Sequence, residues 1–144
     1  MIYADTSCLL KVFRPEPLSK AVWIAIEDED IVIVSALAEL ETVVQLKSFW
    51  SGGIFTRNEW RQAEARLNIL KNQPPFEFRQ LPAAIFKTAL RQHRNSGDEY
   101  CRSLDRLHLA AMEELGITRL MTNDAAQAKA AIEAGFDVIS PGRA

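Results

Sequence analysis

The chain has 144 residues, 48% of them hydrophobic and 25% charged, with a formal net charge of −2. That balance fits one domain with a sizeable core, spanning residues 1–144, and excludes a strongly basic coat protein for nucleic acid. No apolar stretch nears the roughly 20 residues of a membrane span, and the N-terminus lacks the regions of a signal peptide, so a cytoplasmic protein with no membrane partner is expected.

The pattern begins with a short apolar strand, Ile2-Tyr3-Ala4, that stops on Asp5 and the hydroxyl pair Thr6-Ser7. A helix is predicted from Thr6 to Phe13, stopped by Pro15 and Pro17, and a second from Leu18 to about Ile26. Ile31-Val32-Ile33-Val34 is a continuous β-branched run, the mark of a strand buried on both faces. Ser35 caps a helix to about Trp50, ended by Gly52-Gly53, and Thr56 caps another over residues 57–71. After Pro74-Pro75, residues 76–81 read as a strand and Pro82 opens a helix to about Asn95. The most apolar helix covers Leu104 to Leu115 and closes at Gly116. Leu120-Met121-Thr122 is a short strand, Asp124 to Ala134 a helix, and Val138-Ile139 a last strand. Strands alternating with helices imply βαβ crossovers and a parallel sheet covered on both faces. The ligand crevice of such a sheet lies at the carboxyl ends of its strands, where Asp5 stands.

Cys8 and Cys101 form no CxxC and no zinc-like spacing, the pattern of reduced thiols. Charge is unevenly placed: residues 1–56 carry four Lys/Arg against eight Asp/Glu, and residues 57–106 carry ten against six. The basic middle segment, from Arg57 to Arg106, offers a phosphate-attracting face or merely solvated helix sides.

Four acids stand out. Asp5 and Asp124 each follow a strand and open a helix, where the plainest role is an N-cap. Asp105, at the start of the apolar helix, suits a first-turn acid favoured by the helix dipole. At about 100° per residue, Glu41 shares a stripe with Leu37, Leu40 and Val44, which places it toward the core. An acid there is costly unless paired or bound to a cation. His108 lies on the stripe of Leu104, Leu107, Ala111 and Leu115 and reads as a half-buried structural histidine. Taken jointly, the four acids converge on one sheet edge and would repel one another unless a cation were present. Oxygen-only ligation selects a hard ion, Mg²⁺ or Mn²⁺, the usual partner of phosphate oxygens and of an activated water.

The segments IYADTS, SALAELE, LDRLHLAA and LMTNDAAQAKAAIEAGFDVI together resemble the four motifs of PIN-domain ribonucleases, above all the VapC-type toxins of VapBC type II toxin–antitoxin pairs. The resemblance covers nearly the whole chain in the right order. It implies an α/β, Rossmann-like PIN domain of about five parallel strands flanked by helices on both faces. It also implies a Mg²⁺- or Mn²⁺-dependent endoribonuclease site, an RNA substrate, a cognate antitoxin and a homodimer. Asp5, Glu41, Asp105 and Asp124 match the catalytic and metal-holding acids, and Thr6 or Ser7 with Thr122 match supporting hydroxyls. Arg106 and Asn123 depart from the small and aromatic residues common at those places. Phe49, Trp50, Phe55 and Trp60 cluster near Gly52-Gly53, where they pack a core or, under the resemblance, line an antitoxin groove or dimer contact. Three alternatives stay open: a PIN nuclease of RNA processing or of DNA, a non-catalytic module of the same fold, and a receiver-like domain. The last lacks an evident acid after its third strand.

Overall fold

Five short strands form the sheet in the described residues: β1 (Ile2–Ala4), β2 (Val32–Ser35), β3 (Phe76–Arg79), β4 (Arg119–Met121) and β5 (Asp137–Ile139). Seven helices accompany them: α1 (Thr6–Phe13), α2 (Ser19–Glu27), α3 (Ala36–Ser51), α4 (Arg57–Leu70), α5 (Ile85–Asn95), α6 (Ser103–Leu115) and α7 (Ala125–Glu133). This computed structural model describes residues 1–143; only Ala144, the last residue of the expected domain, lies outside them. The strand order is β3-β2-β1-β4-β5 and every pairing is parallel. The expected Rossmann-like α/β sheet is therefore present, with β1 at its centre.

Strand alternation explains why both faces are buried. Ile2, Ala4, Val32, Val34 and Met121 turn to one face, where α1 to α4 cover them. Tyr3, Ile33 and Leu120 turn to the other, against Leu109, Ala111 and Met112 of α6 and Ala130 and Ala131 of α7. Each fully buried aliphatic side chain among these contributes roughly 1.5–3 kcal/mol relative to exposure. The outer helix α5 packs on α6.

Local chemistry sets the helix starts. Ser35 accepts the Ala38 N–H at 3.1 Å, and Thr56 forms a reciprocal capping box with Glu59. Gly116, at φ 70°, closes α6 in the left-handed conformation that favours glycine. Pro82 does not open α5 directly: its carbonyl accepts from Ile85, and the helix begins there after a turn.

Three further expectations are corrected. The covered side of α3 is Ala38, Thr42 and Leu46, while Leu40 and Val44 are 60% and 56% exposed, so the Leu37–Leu40–Val44 stripe is not the core face. Apolar residues surround this helix, and its packing on α1 and α4 decides which of them are covered. Glu41 therefore sits on the flank of α3 and reaches the sheet edge from the side.

The basic middle segment does not form one face. Its α4 charges lie on one side of the sheet and its α5 charges on the other. Lys71, Arg79 and Arg91 are spent on Glu39, Glu77 and Glu113, and Arg106 is 7% exposed. His108, thirdly, is fully rather than half buried.

Candidate functional site

The chain leaves β1 toward β2 on one side and leaves β4 toward β5 on the other, so the topology switches between β1 and β4. A crevice opens at such a point beyond the carboxyl ends of the strands. Ala4 pairs with Met121, which sets Asp5 beside Thr122. The Asp5 N–H extends the ladder by one bond, to the Met121 carbonyl at 3.0 Å.

Asp5 is held from every side and is 5% exposed. Its Oδ1 accepts the Thr6 N–H at 2.8 Å, the expected cap bond. Its Oδ2 accepts from the Thr122 hydroxyl at 2.7 Å and the Ser7 hydroxyl at 3.1 Å. Those two hydroxyls also accept, Thr122 from the Asp124 N–H and Ser7 from the Asn123 N–H, both at 3.0 Å. Thr122 and Ser7 thus weld the end of β1 to the β4–α7 turn. Asn123 is drawn inward as well, donating its amide to the Pro141 carbonyl at 2.9 Å.

Asp124 caps α7, with Oδ1 accepting from Ala126 and Gln127 at 2.9 and 3.1 Å. Its Oδ2 accepts from Arg102 at 3.3 Å. The same guanidinium donates Nε to Asp105 at 2.7 Å, and Gln127 donates to the Asp105 carbonyl at 3.0 Å. Asp105 and Asp124 therefore form one pair, bridged by an arginine that is itself largely exposed.

Glu41 joins the other pair. Its carboxylate accepts from the Thr6 hydroxyl at 3.0 Å and from the Nε2 of His108. That ring nitrogen also lies 3.9 Å from Asp5. Burial alone would push the Glu41 carboxyl up, but the bonds from His108 and Thr6 outweigh it and hold the group below the usual carboxylate value. Behind His108, burial keeps the Tyr3 hydroxyl protonated, far above the ordinary phenol range.

All seven residues expected from the sequence thus stand around one sheet edge, in two linked pairs rather than one ring. Three contributors were not anticipated as such: Arg102, Tyr3 and the inward role of His108. Arg102 was legible as an i, i+3 partner of Asp105 on a helix start. Tyr3 alternates with Ile2 and Ala4, which aims its hydroxyl at the α6 face.

The oxygen-only donor set has the chemistry of a hard divalent cation. Among the described residues, however, no three His, Cys, Asp or Glu side chains are gathered closely enough to hold an ion as they stand. Arg102 supplies positive charge there, bonded to both Asp105 and Asp124.

An open parallel sheet with acids at its switch point defines a class of α/β proteins that act on ligands at that edge. The sequence matches the PIN domain over residues 2–133, and the chain belongs to the PIN domain family. A comparison with curated proteins finds no match. Among solved structures the chain is similar to Mycobacterium tuberculosis VapC20, described as a Sarcin-Ricin loop cleaving toxin, with 19% identity, a TM-score of 0.71, and coverage of 98% of this chain and 100% of that one. It is similar to Neisseria gonorrhoeae FitAcB, with 15% identity, a TM-score of 0.73 and full coverage of both chains. Rickettsia felis VapBC2, solved bound to a promoter DNA fragment, gives 13% identity, a TM-score of 0.72 and coverage of 96% and 98%. At these identities the likeness is one of fold.

Proposed function

We propose that this protein is a VapC-like toxin: a Mg²⁺- or Mn²⁺-dependent endoribonuclease that hydrolyses RNA phosphodiester bonds and is neutralised by a cognate antitoxin. The observation that carries it is the Thr122 hydroxyl, which joins Asp5 at the end of β1 to the Asp124 backbone at the end of β4. It leaves two acids side by side at the switch point, with Glu41 and Asp105 brought to the same edge.

Asp5, Glu41, Asp105 and Asp124 would hold the cation, and Thr6, Ser7 and Thr122 would fix the acids that hold it. A bound Mg²⁺ or Mn²⁺ supplies Lewis acidity and an activated water at the scissile phosphate. The chain's own residues orient that chemistry: Asp5 is locked by three donors, and Glu41 is held at the crevice wall by Thr6 and His108. Arg102, once free of Asp105 and Asp124, is a cation at the crevice rim for an RNA phosphate.

An antitoxin partner is supported by relatives solved as toxin–antitoxin complexes, among them one from Klebsiella pneumoniae. A groove of about 290 Å³ between α3 and α4, lined by Leu40, Val43 and Leu67 with Glu39, Glu64 and Lys71, suits an amphipathic peptide segment. The aromatic pairs beside it, Trp50 stacked on Trp60 at 4.4 Å and Phe49 edge-on to Phe55 at 5.4 Å, stiffen the α3–α4 hairpin.

The decisive experiment is RNA cleavage with added Mg²⁺ or Mn²⁺, comparing the intact protein with Asp5→Asn. Cleavage by the first and its loss in the second is expected. Equal cutting by both, or none by either across diverse RNAs, removes the proposal.

A further inference from the structure

His108 stands in a fully buried stretch of α6. Its neighbours Leu109, Ala110, Ala111 and Met112 are wholly buried and apolar, and it is itself 1% exposed. An imidazole there is costly unless its nitrogens are satisfied, and both are. Nδ1 lies 2.6 Å from the Tyr3 hydroxyl, which lies 2.6 Å from the Ser35 hydroxyl, which accepts the Ala38 N–H. Nε2 meets Glu41. The rings of Tyr3 and His108 are set edge to face, 5.7 Å apart, so the hydroxyl addresses the nitrogen and not the ring face.

The protons can be placed. Ionised Glu41 only accepts, so Nε2 carries the hydrogen. In the Nε2–H tautomer Nδ1 accepts from Tyr3, and the Tyr3 oxygen accepts from Ser35. The series runs Ala38 to Ser35 to Tyr3 to His108 to Glu41, with every link donated in one direction. It also crosses the sheet. Glu41 belongs to α3, packed on one face, and His108 to α6, packed on the other.

Glu41 needs such a clasp. It is carried on a flank of α3 by a long side chain, and Thr6 is its other hydrogen-bond partner. We propose that His108 is a positioning residue, which fixes the Glu41 carboxylate in the crevice through a buried relay anchored by Tyr3 and Ser35. This assignment rests on the nuclease function proposed above, because only there does the position of Glu41 matter for turnover.

Two measurements test it, and they fail independently. In metal-free protein labelled at histidine nitrogens, long-range ¹H–¹⁵N correlation should show His108 as the Nε2–H tautomer, with exposed His93 as the internal reference. Glu41→Gln should shift its Nε2 resonance, and Tyr3→Phe its Nδ1 resonance. In RNA cleavage, His108→Leu should lower kcat by about 10- to 100-fold, the usual effect of losing a partner behind a metal-site ligand, with KM little changed. His108→Gln, whose amide can still donate toward Glu41, should recover part of the loss. In a Glu41→Ala background, His108→Leu should add nothing further.

A folded His108→Leu protein with full activity would overturn the proposal, as would an equal loss with and without Glu41. So would a His108 spectrum indifferent to Glu41→Gln. If the spectra show the coupling but the native protein cuts no RNA, the clasp stands and the nuclease assignment falls.

Discussion

Arg102 and Asp124, 22 residues apart in the chain, meet at 3.3 Å at the rim of the acidic crevice, and the same guanidinium is bonded to Asp105. Two acids of the candidate site thus share one positive side chain. Because Arg102 is 62% exposed, the pairing is screened by solvent and worth little, on the order of 0.2–1 kcal/mol. It is strong enough to neutralise the acids and weak enough to be displaced. Arg102→Gln should therefore tighten Mn²⁺ binding by about two- to fivefold in calorimetric titration, the same energy read as an affinity ratio. Unchanged or weaker binding would show that Arg102 does not compete with a cation.

The welded hydroxyl of Thr122 predicts a stability effect. It is fully buried, donates to Asp5 and accepts from the Asp124 N–H. Thr122→Val keeps the volume, strands the Asp124 N–H and leaves Asp5 Oδ2 with the Ser7 hydroxyl alone, which should cost about 1–3 kcal/mol in urea unfolding, whereas Thr122→Ser should cost less. If Val and Ser behave alike, the hydroxyl bonds carry no weight and only shape matters.

Far from the site, Glu29 predicts a pH dependence. Arg119 donates to both of its oxygens, at 2.7 and 2.8 Å, and the chain's amino group lies 3.6 Å away. The bonds from Arg119 hold the Glu29 carboxyl below its usual value, although burial acts the other way. A folded-state value below the unfolded one gives stability that is present above the ordinary Glu range, near pH 4.3, and is lost as pH falls through the folded value. Glu29→Gln should accordingly flatten the acid limb of the stability curve while changing little of its shape above pH 6. An acid limb identical to that of the native protein would contradict this.

The α5–α6 side predicts association. Phe86, Leu90 and Tyr100 are 62%, 50% and 86% exposed, and with Leu107 they line an apolar groove of about 520 Å³. Contiguous exposed apolar surface of this kind marks an interaction site. Sedimentation should show a dimer for the native chain and a monomer for the Phe86→Lys, Leu90→Lys double variant. A native monomer would leave that face without the expected second copy.

What the sequence disclosed was governed by distance along the chain. Asp5, Ser35, Thr56 and Asp124 were recognisable as caps because each bonds within one to three residues of itself. The strands were recognisable because β-branched runs buried on both faces have few other uses. Strand order was not, since nothing in Ile2-Tyr3-Ala4 says that Leu120 will be its neighbour. The side of α3 that faces the core was misread for a related reason. Leu40 and Leu46 are the same residue type on one helix, and only the arrival of α1 and α4 makes the first exposed and the second buried. Arg106 likewise looks like surface charge in a basic stretch, yet α6 turns it inward. The convergence of the four acids on one sheet edge was legible, whereas the Tyr3–His108 link spans 105 residues and left no local trace.

The central place of β1 also bears on synthesis. Residues 2–4 leave the ribosome long before residues 119–121, and one flank of their strand stays bare until those have been made. Asp5 gains its bond from Thr122 only then, and Asp124 follows immediately. Domains fold as units during translation, and contacts this distant in sequence close late. A nascent chain therefore carries Asp5 and Glu41 without the groups that complete the crevice until residues 122–124 have been made.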